Sequence, residues 1–281
     1  MGKRGPKIAA AVSAKAKPAW EGSPPWEAKG LTRAGRVIKF IEILPITSGV
    51  HAGRKFKLRP WQKEIIKAIY RTVKGKRIVR QAVITIPRKN GKTALASALA
   101  LAHLFGPEAE ERGQIFSAAS DRAQASILFN EMVAIIVRIP EFNERCHIKN
   151  FHKEITDLEN GSVYTALSSD ARKAHGLSPS FFVFDELAQS KSRELFDNLQ
   201  TGTGARAEPL GIVISTQSPD PNQQRPNPRS VPGCNPLLAA LSTLAGYPRV
   251  LPNPWDRQPV DGSARCCLLR RSVGTLRSRL G

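Results

Sequence analysis

Gln81-Ala-Val-Ile-Thr-Ile86, Pro87-Arg-Lys-Asn-Gly-Lys-Thr93 and Ala94-Leu-Ala-Ser-Ala-Leu-Ala-Leu-Ala-His-Leu-Phe105 follow one another without a break. The first piece is a short β-rich run, the second a tight basic loop, the third a strong helix former. Strand, loop, Gly-Lys-Thr and helix is the order of a phosphate-binding loop. Backbone N–H groups at the start of such a helix point at an anion, and the helix dipole adds to the attraction. In this reading Asn90 and Gly91 belong to the cradle, and Gly91 permits close backbone approach. Lys92 bridges the outer phosphates and the Thr93 hydroxyl holds Mg²⁺. Ile86 stands where the full pattern has its first glycine, so the loop alone also fits a basic surface turn ahead of a core helix.

A second run, Ser180-Phe-Phe-Val-Phe184, has the character of a buried strand and ends in Asp185-Glu186. A carboxylate at the C-terminal end of a parallel strand sits where open α/β sheets bind ligands. Asp185 then holds Mg²⁺ through water, and Glu186 orients and polarises an attacking water. The alternative is an acidic helix start after a core strand. The reading requires Lys92 and the Asp185/Glu186 carboxylates to converge from neighbouring strand tips.

Gln114-Ile-Phe-Ser-Ala-Ala-Ser120 reads as another buried strand, followed by a helix over 121–137. It lies between the two motifs in sequence, and hydrolases with a glutamate water-activator carry an extra strand. Leu210-Gly-Ile-Val-Ile214 is a further strand; the Ser215-Thr216-Gln217 that follows either senses the γ-phosphate or is a plain polar exit. The expected fold class is α/β: a P-loop NTPase of the additional-strand, catalytic-glutamate type, with a mostly parallel sheet flanked by helices and disordered basic ends.

Leu58-Arg-Pro-Trp-Gln-Lys63 opens an amphipathic helix with Trp61, Ile65, Ile66 and Ile69 on one side. Trp61 is expected in the core. Gln62 either reads an adenine edge, since its amide donates and accepts, or is simply solvated. Arg88 either stabilises charge on the transferred phosphoryl group or pairs with a loop acid. Arg172, Lys173 and His175 line the site or touch DNA, and His175 is equally compatible with a structural hydrogen bond.

The chain has 281 residues, 41% of them hydrophobic, which excludes a wholly disordered protein. No apolar run reaches the ~18 residues of a membrane span, and Met1-Gly-Lys-Arg-Gly-Pro-Lys7 has no apolar segment close behind it. Cys146, Cys234, Cys266 and Cys267 have no zinc or disulfide spacing. A cytoplasmic protein is expected. The net charge of +20 is concentrated at the ends: residues 1–60 hold 13 Lys+Arg against 3 Glu, and 221–281 hold 9 Arg against 2 Asp. Basic ends favour a polyanion. Three segments follow: a flexible basic arm over 1–35, an α/β domain over 36–220, and a Pro/Arg-rich tail over 221–281, disordered or aberrant, with no strand alternation.

Taken together, Leu58-Arg-Pro-Trp-Gln62, the loop Pro87 to Thr93, His175-Gly-Leu-Ser-Pro-Ser-Phe-Phe-Val-Phe-Asp-Glu-Leu187 and Ser215-Thr-Gln217 resemble the N-terminal ATPase domain of tailed-phage terminase large subunits. That family tolerates a phosphate loop without its first glycine. The resemblance implies a motor that uses ATP and Mg²⁺ to drive double-stranded DNA into a procapsid. It also implies a ring on a portal protein and a small terminase subunit as partner. Carried over by position, Asn90, Gly91, Lys92 and Thr93 form the Walker A site and Asp185 the Walker B metal ligand. Glu186 is the catalytic carboxylate, Ser215, Thr216 and Gln217 the coupling motif, Gln62 the adenine contact and Arg88 a γ-phosphate contact. Full-length members continue into a nuclease with clustered carboxylates. Residues 221–281 hold only Asp256 and Asp261, so no nuclease activity is expected of this chain. A helicase-like translocase and a catalytically silent DNA-binding prophage remnant are the competing functions.

Overall fold

A computed structural model of the chain describes residues 19–85, 90–119, 122–168, 176–185, 194–215 and 265–267. The helices are α1 (Arg33–Ile43), α2 (Pro60–Ile69), α3 (Lys92–Leu104), α4 (Arg122–Ile136), α5 (Pro140–Glu144) and α6 (Glu194–Gly202). The strands are β1 (Thr72–Val73), β2 (Lys76–Arg77), β3 (Gln81–Thr85), β4 (Gln114–Ala118), β5 (Cys146–Lys149), β6 (Glu154–Asp157), β7 (Val163–Leu167), β8 (Phe181–Asp185), β9 (Leu210–Ser215) and β10 (Arg265–Cys267).

β1 and β2 form a small hairpin; the other eight strands make one sheet in the order β10-β3-β9-β8-β4-β7-β6-β5. β3, β9, β8, β4 and β7 are mutually parallel; β10 and β6 pair antiparallel with the two ends of this run, and β5 pairs antiparallel with β6. The parallel run is apolar because both of its faces are covered. In β8, Phe181 and Val183 enter the larger core with α1 to α5, while Phe182 and Phe184 enter a second core under Leu195, Phe196 and Leu199 of α6. α3 is apolar nearly all round and is buried from Leu95 to Leu104, as an interior helix must be.

Three features depart from the sequence reading. The phosphate-loop strand and the Asp185 strand are not the neighbours expected: β9 lies between them, and the Gln114 strand, β4, lies on the far side of β8. Hydrogen bonding sets this order, which sequence adjacency cannot reveal. The basic arm expected over 1–35 overlaps the domain: Trp26 is buried with its ring 4.9 Å from Phe40, Trp20 packs edge-on against it at 5.0 Å, and the Ala19 N–H donates to Glu141 Oε1 at 2.8 Å. Two tryptophans carry enough apolar area to hold a Pro/Gly-rich segment on the core. Within 221–281, where no strand was expected, Arg265–Cys267 pairs antiparallel with β3, setting Arg265 opposite Thr85.

A polar cluster ties the sheet together at the N-terminal ends of its parallel strands. Arg33 forks onto Glu108, with Nε–Oε1 2.6 Å and Nη2–Oε2 2.8 Å, and also pairs with Glu208. Arg77, itself buried, donates to the carbonyls of Val79 and Glu208. Beside them Tyr70 Oη and His103 Nε2 share a buried 3.0 Å hydrogen bond. Burial, reinforced by Arg77 and Arg33, holds the His103 imidazole well below its usual range. The unfolded chain therefore binds a proton that the folded chain refuses, and stability is lost as pH falls below the ordinary histidine value of 6.5. The slope approaches one proton, about 1.4 kcal/mol per pH unit. Melting curves between about pH 7 and pH 5 should show wild-type Tm falling more steeply than that of His103→Gln. Equal slopes would assign the acid sensitivity elsewhere.

Candidate active site

Gly91 is the N-cap of α3 at φ 73° and ψ 29°, in left-handed backbone. Among the described residues nothing lies within 4 Å of where its Cβ would be. The glycine is thus required by conformation, not by crowding, and an L side chain here costs about 1–2 kcal/mol. A glycine cap supplies no side-chain acceptor to the start of α3, and helix starts of this kind are common anion sites. Lys92 and Thr93 follow in the first turn, both half-buried.

The opposing carboxylate arrives on β8. Thr85 of β3 pairs with Ser215 of β9, and Ile214 of β9 pairs with Asp185 of β8. The three strand ends are therefore flush to within one residue. With ~4.8 Å between neighbouring strands, β3 and β8 stand about 10 Å apart. Lys92 and Asp185 approach from strands that flank β9, not from directly paired strands. The carboxyl ends of parallel strands, where these three stop, are the edge at which open α/β sheets bind ligands. The donor set also fits: Mg²⁺ takes one or two protein oxygens and keeps phosphate and water for the rest. Thr93 and Asp185 supply that number, and among the described residues no denser His/Cys/Asp/Glu group exists.

Gln62 is 5% exposed and its Oε1 accepts the Arg59 N–H at 2.8 Å. The amide therefore closes the start of α2 and is not merely solvated. Trp61 packs partly buried against the main core, with Ile65, Ile66 and Ile69 buried beside it. Of β9's end, the backbone of Ser215 is described. Arg88, Arg172, Lys173, His175, Glu186, Thr216 and Gln217 lie outside the described residues. Sequence reading missed Arg59, whose backbone N–H engages Gln62; the spacing N-cap to third helical residue is the signal of a capping pair.

A strand leading to Gly-Lys-Thr at the start of a helix, a second strand ending in Asp, and a third inserted between them define an additional-strand P-loop NTPase fold. Comparison with known proteins narrows the class. A family model described as the terminase large subunit, ATPase domain, matches residues 60–231, and the chain belongs to that family. Membership implies nucleotide binding. The large terminase subunit of Enterobacteria phage HK97 is 40% identical over 191 residues, covering 67% of this chain and 37% of that protein. Its crystal structure matches at a TM-score of 0.60 and 41% identity over 66% of this chain and 38% of that one. The ATPase domain of the Thermus phage P74-26 large terminase matches at a TM-score of 0.46 and 19% identity, over 58% of this chain and 66% of that one. The chain thus spans little more than a third of the length of the HK97 relative. Among the described residues no helix is long and apolar enough to cross a membrane.

Proposed function

We propose that this chain hydrolyses ATP with Mg²⁺ and uses the cycle to drive double-stranded DNA into a procapsid, in the host cytoplasm. The observation that supports the reading is the flush arrangement of β3, β9 and β8, with Gly91-Lys92-Thr93 following the first strand and Asp185 ending the last in sequence. Asn90, Gly91 and the α3 N–H groups bind phosphate oxygens, and the Lys92 ammonium spans the outer two phosphates. Thr93 and Asp185 hold the metal, which when bound neutralises phosphate charge. Glu186 takes a proton from the attacking water, and Arg88 stabilises charge on the γ-phosphoryl group. Gln62, its carbonyl committed to α2, offers its amide donor to the adenine. Ser215, Thr216 and Gln217 carry the loss of the γ-phosphate to the rest of the machine. The partners are duplex DNA, a small terminase subunit, a portal protein and further copies of the chain in a ring.

The purified chain is expected to hydrolyse ATP slowly in Mg²⁺, to speed up with duplex DNA, and to lose turnover in Glu186→Ala. Equal slow turnover by wild type and variant would overturn the motor in favour of a silent DNA-binding protein.

A further inference from the structure

Residues 51–80 carry 11 Lys+Arg and a single acid, Glu64. The fold arranges them. Arg59 caps α2, Lys63 and Lys67 follow on one side of the helix about 6 Å apart, and Arg71 comes directly after the C-cap Tyr70. The chain then turns through the β1–β2 hairpin, where Val73 pairs with Lys76 across Lys74 and Gly75. Both corner residues have positive φ, 51° and 78°, the geometry of a tight two-residue turn that matches strand twist. Lys74 and Lys76 are exposed at its tip. Buried Arg77 fixes the hairpin to the domain through the carbonyls of Val79 and Glu208. The hairpin leads into Gln81, so it lies at the opposite end of β3 from Thr85 and the nucleotide site.

Several cations elsewhere are matched: Arg33 to Glu108, Arg145 to Asp157, Lys149 to Glu154, Arg206 to Glu110. In this row Lys63 pairs with Glu42 and Lys67 with Glu64. Arg59, Arg71, Lys74 and Lys76 form no ion pair among the described residues. With 11 cations against the single acid Glu64 over residues 51–80, and with four of the exposed ones outside any such pair, this face favours a regularly charged polyanion, because each neutralised phosphate releases counterions. No exposed aromatic stands in the row: Trp61 is half-buried and Tyr70 fully buried. The surface has no stacking platform for unpaired bases.

We propose that this face of α2, with the β1–β2 hairpin, is a contact surface for the phosphate backbone of duplex DNA. DNA as the partner rests on the packaging reading above; the surface rests on the charge arrangement. The test is titration of a random-sequence duplex with the full chain across a salt series. Arg71→Glu/Lys74→Glu/Lys76→Glu is compared with a charge-matched control, Lys29→Glu/Arg112→Glu/Arg138→Glu, all exposed positions. The hairpin variant is expected to bind at least about tenfold more weakly and to lose roughly 2–3 from the slope of log affinity against log salt. The control should stay near wild type, and basal ATP turnover should be unchanged in both. Lys74→Gln/Lys76→Gln, a milder change, should lose roughly 2 from the slope. Equal weakening of both triple variants, or wild-type affinity in the hairpin variants, would overturn the surface while leaving DNA as a partner. Failure of wild type to bind duplex would overturn both, and the nucleotide site would stand apart.

Discussion

Lys92→Ala is expected to lower ATP turnover by about 100-fold or more, with Tm close to wild type. The side chain sits in the first turn of α3, half-buried, directly after left-handed Gly91. In the proposed mechanism its ammonium meets the charge that develops on the outer phosphates, an interaction that strengthens toward the transition state. The stability of α3 resides elsewhere, in Leu95, Leu99, Leu101 and Leu104, all fully buried. Truncation at residue 92 removes catalysis without opening a core cavity. Lys92→Arg should fail to restore the rate, because a planar guanidinium does not reproduce a compact point charge. Turnover by Lys92→Ala within a few-fold of wild type, measured by phosphate release, would remove the phosphate loop from the mechanism.

Gly211→Ala is expected to destabilise the domain by about 1–3 kcal/mol, a fall in Tm of several degrees by calorimetry. Phe182 of β8 pairs directly with Gly211 of β9. A Cβ on Gly211 would stand 2.7 Å from Phe182 Cε1 and nearer still to Cζ. The ring cannot swing aside: it is 1% exposed and meets Phe196 edge-on at 6.1 Å. Alanine lowers the entropy of the unfolded chain by only about 0.4–1 kcal/mol, which the clash exceeds. Because β9 lies between β3 and β8, a displaced β9 also moves Asp185 relative to the phosphate loop, so turnover should fall with stability. Phe182→Leu in the Gly211→Ala background should recover part of the loss, a coupling expected of side chains in contact. An unshifted melting curve for Gly211→Ala would mean that the sheet yields at no cost.

The phosphate-loop helix, the Asp185 strand and the amphipathic helix after Arg59 were legible because each is a local pattern: a run, a period or a punctuated turn. The neighbour relations were not. Nothing in Leu210-Gly-Ile-Val-Ile214 says that it inserts between β3 and β8, or that its glycine makes room for a phenyl ring. Those are properties of pairs distant in sequence. Trp20 and Trp26 were hidden by the Lys, Pro and Gly around them, which dominate composition over a window of that length. The cationic row was obscured differently. It straddles the boundary at which charges were first divided, and its meaning came from helical spacing and from the positions of Glu42 and Glu64. The roles of Gln62 and of Asn90 through Thr93 are readings of type and place, and the Lys92 variants test one of them.

The insertion of β9 also dictates an order of events during synthesis. β3 and β8 share no hydrogen bonds with each other; their connection runs through the last parallel strand to be made. A nascent chain that has delivered residues 19–185 to the ribosome exit holds both halves of the pocket but no bridge between them. Arg33 must likewise wait 175 residues for Glu208. Contacts that close over such separations make for slow, late-cooperative folding. The proposed nucleotide site is therefore expected to form only after Ser215 has emerged, and shorter N-terminal fragments should lack it.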